Sequence, residues 1–135
     1  MAFASNTKFK RRSFIGASLA MALAARAGTS AAAGDSRRPV ILDTDIGDDI
    51  DDTWALLMLL RMPALDLRLA VGDFGNALYR ARLLARLLKL TGRTDIPIGV
   101  GLGLEDKPGQ QSSWLGDYQL ADYPGKVYAD GVQAI

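Results

Sequence analysis

Along this chain the spacing of apolar positions changes several times, and each change marks an element. Pro39-Val40-Ile41-Leu42 is a short apolar run of the kind that forms a buried strand. From Asp51 the pattern Asp-Asp-Thr-Trp-Ala-Leu-Leu-Met-Leu-Leu predicts a helix that continues to about Met62, where Pro63 stops it. Residues 64–71 alternate, with Leu65, Leu67, Leu69 and Val71 on one face, which predicts a second strand. Gly72 to Asn76 breaks that pattern, and residues 77–90 form a leucine-rich helix closed by Gly92. Asp95 to Val100 is a third strand. Strand, helix, strand, helix, strand with short links predicts an α/β fold with an open, mostly parallel sheet. Residues 101–125 lose all periodicity, as a functional loop, a lid or a disordered segment does. Residues 128–135 read as the entry to a further helix. A chain that stops on an apolar residue in a first helical turn is expected to be a fragment.

The chemistry lies between the first strand and the first helix. Asp43, Asp45, Asp48, Asp49, Asp51 and Asp52 fall within ten positions. Two carboxylates about 4 Å apart repel by roughly 1 kcal/mol in water and roughly 4 kcal/mol near a protein surface. Between Val40 and Leu60 there is no Lys or Arg, so a bound cation is the expected neutraliser. Oxygen ligands alone favour Ca²⁺ or Mg²⁺ over zinc or copper. The cluster also sits at the carboxyl end of a strand and the amino end of a helix, where the dipole favours negative charge and open α/β sheets bind ligands.

Arg82, Arg86, Lys89 and Arg93 recur along the second helix, as an anion-binding stripe or, more simply, as its solvated face. Trp54 and Trp114 are expected to pack rather than to stack on a ligand.

Composition narrows the classes. The chain has no cysteine and no histidine, which removes disulfides, thiolate metal sites and the commonest general acid. Lys8, Lys10, Arg11, Arg12 and Arg26 precede residue 34 with no acid among them, and the remaining 11 basic residues face 15 acids. That balance argues against a nucleic-acid partner. The paired arginines, Phe14, a modestly apolar middle and Ala31-Ala32-Ala33 resemble a twin-arginine signal peptide. Residues 1–33 are then a cleaved signal, 34–135 the functional domain, and the product is exported with no lasting membrane anchor. A basic tail or an anchor is the alternative.

Asp43-Thr44-Asp45-Ile46-Gly47, then Asp51-Asp52 and Ala55-Leu56, resembles the amino-terminal signature of the inosine/uridine-preferring nucleoside hydrolases, D-x-D-x-G-x-D-D. Here two extra residues separate Gly47 from the Asp-Asp pair. Aligning the pair on Asp51 and Asp52 makes Asp48 and Asp49 the insertion. Gly75-Asn76, Gly92 to Ile98 with Gly101, and Asp130-Gly131 extend the likeness to the end of the chain.

The resemblance implies a Rossmann-like fold and calcium-dependent hydrolysis of the N-glycosidic bond of nucleosides. Asp45 and Asp52 would ligate Ca²⁺, and Asp45 would take a proton from the attacking water. Asp51 would hold ribose hydroxyls, Asn76 would face the sugar, and Asp43 would support the site from behind. Members of that family are about twice as long, and the remainder ordinarily brings a further aspartate, a histidine and more sugar contacts. By this reading the 135 residues alone release no ribose.

Each residue has a plainer reading. Asp51 or Asp52 caps a helix, Asn76 is a turn residue, and Asp43 serves solubility. An inactive calcium-binding remnant and a haloacid-dehalogenase-like phosphatase are the competing functions, and a homo-oligomer is compatible with all of them. An EF-hand is excluded because its glycine and closing glutamate are missing from the required offsets.

Overall fold

The structure, a computed structural model, describes residues 37–135. The signal-like segment and its boundary at residue 33 lie outside the described residues. Four strands form one sheet in chain order: β1 (Arg38–Thr44), β2 (Leu65–Gly72), β3 (Ile98–Val100) and β4 (Val127–Tyr128). All three neighbouring pairs are parallel. Helix α1 (Asp51–Leu59) links β1 to β2, and α2 (Ala77–Leu90) links β2 to β3. Helix α3 (Gly131–Ala134) follows β4. This is the α/β architecture expected from the periodicity, with the second helix found at the expected residues.

Three details differ. β1 is an edge strand among the described residues, and Ile41 is 45% exposed, so the apolar run is not buried as expected. Its register against β2 also shifts between Val40 and Ile41. β2 is buried on both faces towards its end, because Ala70 and Gly72 are covered as well as Leu69 and Val71. Alternation described only one of those faces. β4 is two residues long, too short to register as a period in the sequence.

The main core lies between the sheet and α2. Leu83, Leu84 and Leu88 meet Ala70, Ile96 and Ile98, all within 1% of full burial. At roughly 25 cal/mol per Å² of apolar surface, this interface is the main stabiliser of the described fold. Gly72 permits the closest approach, since a Cβ there would stand 2.7 Å from the Ala81 amide nitrogen and 2.8 Å from the Arg80 Cβ. Gly72→Ala is expected to push α2 off the sheet and lower stability by about 1–3 kcal/mol, as overpacking does, readable by urea denaturation. An unchanged midpoint would mean that the helix gives way freely.

Residues 101–126 are laid along α2, with short 3₁₀ turns at Ser112–Trp114 and Leu120–Asp122. The basic residues of α2 hold them there. Arg82 donates to the Tyr118 carbonyl at 3.1 and 2.6 Å, Arg86 to that of Leu115, and Lys89 to that of Asp122 at 3.1 Å. Arg86 and Lys89 also lie 5.9 and 5.2 Å from the Tyr118 ring centre. Arg82 and Arg86 are therefore half-buried rather than a solvated face, while Lys89 remains exposed. The stripe satisfies carbonyls of an irregular segment that has no ladder of its own.

Tyr123 closes the same segment, its hydroxyl donating to the Ile96 carbonyl at 2.6 Å. Burial, then the charge of Asp95, pushes its pKa up to about 12 from the ordinary 10.0. The folded state thus favours neutral Tyr123, and its contribution is complete below pH 10 and lost as pH rises towards 12. Tyr123→Phe is expected to remove that part of the alkaline destabilisation, seen by comparing denaturation at neutral and alkaline pH. An identical alkaline profile would contradict the burial of the hydroxyl.

Candidate functional site

β1 and β2 end side by side, Thr44 opposite Gly72, and the loops that leave them share one crevice. Asp43, Thr44, Asp45, Asp52, Asp73 and Phe74 line it, around a volume of about 210 Å³. Of the aspartates expected to matter, the structure brings Asp43, Asp45 and Asp52 into this crevice. Asp51 is exposed in the first turn of α1, where its carboxylate accepts from the Asp52 amide at 3.0 Å. The residue before the helix is Ile50, and no side chain caps it. Asn76 lies apart from this group. Its side-chain oxygen accepts from the Tyr79 amide at 2.9 Å and its nitrogen donates to the Asp106 carbonyl at 2.8 Å, so it caps α2 and ties down the following loop.

The electrostatics of the crevice are those of crowded acids. Burial raises the Asp52 pKa, and a side-chain hydrogen bond with Asp45 raises it further, while Thr44 opposes the shift. Burial also raises Asp43, with the charge of Asp73 as the second cause and a backbone hydrogen bond at Thr44 in opposition. Two carboxylate pairs thus face one opening, Asp45 with Asp52 and Asp43 with Asp73. Sequence reading passed over Asp73, although its place directly after the second strand repeats that of Asp45 after the first.

The acidic loop has a cationic partner after all. Arg80, 3% exposed, reaches under the loop from the first turn of α2. It donates to the carbonyls of Asp45 and Ile46, the latter at 3.0 Å, to the Phe74 carbonyl at 2.7 Å and to the Asp48 carboxylate at 2.9 Å. The sequence offers the loop no local Lys or Arg, and the structure brings one from 32 residues downstream of Asp48. Among the described residues Asp48 is the one loop aspartate in a salt bridge. A signal for Arg80 was present, since it occupies the same helical face as Leu83, Leu84 and Leu87.

Two further side chains fix the loop. The Tyr79 hydroxyl donates to the Gly47 carbonyl at 2.8 Å. Buried Gln111 donates to the Asp49 carbonyl at 2.7 Å and accepts from the Thr53 hydroxyl at 3.0 Å, and its own amide donates to the Gly47 carbonyl at 2.8 Å. Gly47 itself has φ 118°, and a Cβ there would strike Tyr79 at 2.6 Å. The irregular stretch expected to be a functional loop, a lid or disordered thus braces the acidic loop from behind through Gln111. Trp54 is 62% exposed and Trp114 42%, so neither packs as expected. Ile50, just before α1, and Met58 within it are exposed one turn either side of Trp54.

All the donors in the crevice are oxygens, in a place where they repel one another, and that chemistry suits a hard divalent cation. Among the described residues no three acidic side chains converge tightly enough to enclose an ion. What the fold and crevice define is an α/β protein with an acidic crevice at the carboxyl ends of parallel strands. A stretch of 66 residues is 39% identical to the pyrimidine-specific ribonucleoside hydrolase RihA of Photobacterium profundum, covering 47% of this chain and 21% of the relative. Another of 72 residues is 40% identical to the probable uridine nucleosidase 2 of Arabidopsis thaliana, covering 52% of this chain and 21% of the relative. The similarity thus spans about a fifth of the length of either relative. No family model and no solved structure matches the chain.

Proposed function

We propose that this chain serves the calcium-dependent hydrolysis of the N-glycosidic bond of nucleosides, giving free base and ribose. The observation that carries the reading is the pairing of Asp45 with Asp52 in a crevice at the strand ends. The similarity to a ribonucleoside hydrolase and a uridine nucleosidase supports the substrate class. When bound, Ca²⁺ would acidify water and hold oxygen ligands, with backbone, water and sugar oxygens completing its shell. Asp45 and Asp52 would ligate it. Asp45 would also accept the proton of the attacking water, and exposed Asp51, next to Asp52 in the chain, would receive ribose hydroxyls. Cleavage develops positive charge on the sugar, and Asp43 and Asp73 add to the negative field that stabilises it. Asn76 shapes the loop beside the sugar through its bond to the Asp106 carbonyl. Residues 1–33 are assigned to export by a twin-arginine-type signal, with 34–135 as the exported part.

The test is a calorimetric titration with Ca²⁺, followed by uridine binding and ribose release with the ion and after chelation. Heat of binding and calcium-dependent retention of uridine support the reading. Release of ribose that survives chelation overturns the role of calcium. Binding of both ligands without release marks the second reading, a calcium-binding protein without turnover, which the absence of histidine from these 135 residues favours. Failure to bind either ligand, with the fold verified, removes both readings.

A further inference from the structure

Phe74 combines two costly features at one position. Its ring is 66% exposed, and with φ 65° it is the only non-glycine residue with positive φ among the described residues. A left-handed backbone is strained for a bulky residue, and glycine would occupy the position without strain. Such strain persists only where the surroundings over-determine it, and it collects at ligand sites. Here the surroundings do so. The Phe74 amide donates to the Leu102 carbonyl at 3.1 Å and to the Asp73 carboxylate at 2.7 Å, and its carbonyl accepts from Arg80 at 2.7 Å. The peptide is pinned on both sides while the side chain packs little.

Position explains what packing does not. Phe74 borders the acidic crevice of Asp45 and Asp52 and also a second cavity of about 260 Å³, whose walls include Arg80, Asn76, Glu105, Lys107 and Gln110. The first cavity is lined by carboxylates suited to sugar hydroxyls and a cation. The second is lined by a mixed set of donors and acceptors suited to the heteroatom edge of a planar ring. An aromatic face at that boundary offers stacking to any base, because every base has a π face. We infer that Phe74 is the platform on which the base of a nucleoside stacks, with its sugar towards Asp45 and Asp52 and its polar edge in the Arg80 cavity. This assignment deepens the nucleoside reading above and rests on it.

The experiment compares the 135-residue chain with its Phe74→Gly, Phe74→Leu and Phe74→Tyr variants, with calcium present. Uridine and free ribose are the probes, titrated by ligand-observed NMR, and thermal unfolding is followed in parallel. Phe74→Gly is expected to unfold at the same or a higher temperature, since it relieves the backbone, yet to lose about tenfold in uridine affinity. Ribose affinity should not change. Phe74→Leu keeps apolar bulk without a π face and should also lose uridine, whereas Phe74→Tyr should retain it. Uridine affinity within about twofold of the parent in both Phe74→Gly and Phe74→Leu overturns the platform and leaves the nucleoside reading standing. Equal loss of ribose and uridine, or a fall in unfolding temperature for Phe74→Gly, makes Phe74 structural and overturns it too. A parent protein that binds neither probe removes the nucleoside reading and the platform together.

Discussion

Arg80→Met is expected to lower the free energy of unfolding by on the order of 3 kcal/mol, the largest stability effect of any single substitution in the site. The methionine fills much of the same space, so the loss is polar. Three carbonyls, at Asp45, Ile46 and Phe74, lose their donor in a place where Arg80 is only 3% exposed. Leaving a buried acceptor unpaired, as at Ile46, carries its desolvation cost of about 1–3 kcal/mol, and the part-buried Asp45 and Phe74 carbonyls add less. The ion pair contributes less, because the Asp48 side chain is 41% exposed and water screens it. Arg80→Lys should therefore be only partly protective, since one ammonium cannot reproduce a planar fork that serves both loops. Asp48→Asn should cost little. Urea denaturation followed by tryptophan emission measures all three. A midpoint for Arg80→Met equal to that of the parent would show that the clamp does not hold the loop.

Asp52→Asn is expected to weaken Ca²⁺ binding by at least about tenfold, against less than about threefold for Asp48→Asn, because calcium affinity follows the number of charged ligands. The two residues have the same side chain and lie close together in the chain, so composition does not separate them. Their neighbours do. Asp48 already faces a guanidinium at 2.9 Å, whereas Asp52 faces Asp45 and has its pKa raised by burial and by that neighbour. Calorimetric titration of both variants gives the answer directly. Equal losses would mean that the metal does not distinguish the pairs, and a larger loss at Asp48 would move the site to the Arg80 cavity.

Much of the frame was legible because it follows from local rules. α2 is found at 77–90, where its leucines recur, capped by Asn76 and followed by Gly92 at φ 71°. The parallel order of β1, β2 and β3 follows from strands alternating with helices. The place of the acidic crevice was legible for the same reason, since strand ends and helix starts are adjacent in the chain. The roles of the arginines were not. Arg80, Arg82 and Arg86 have the same chemistry and lie on one helix, yet Arg80 clamps the acidic loop while the other two hold carbonyls of Leu115 and Tyr118. Which carbonyl each meets depends on where an aperiodic segment is laid, and no spacing encodes that. Gln111 was invisible likewise, being 62 residues from the Asp49 carbonyl that it binds.

By itself the chain determined its element types, their parallel arrangement and the concentration of carboxylates in one loop, because those depend on near neighbours and on the period of apolar side chains. Only the tertiary structure decided which aspartates face one another, which one is neutralised by Arg80, and that Phe74 stands strained and exposed between two cavities. Those outcomes depend on how the loops are held by contacts distant in the chain, such as Arg80 with Asp48 and Gln111 with Asp49, whose energies are set by burial and distance in the folded state.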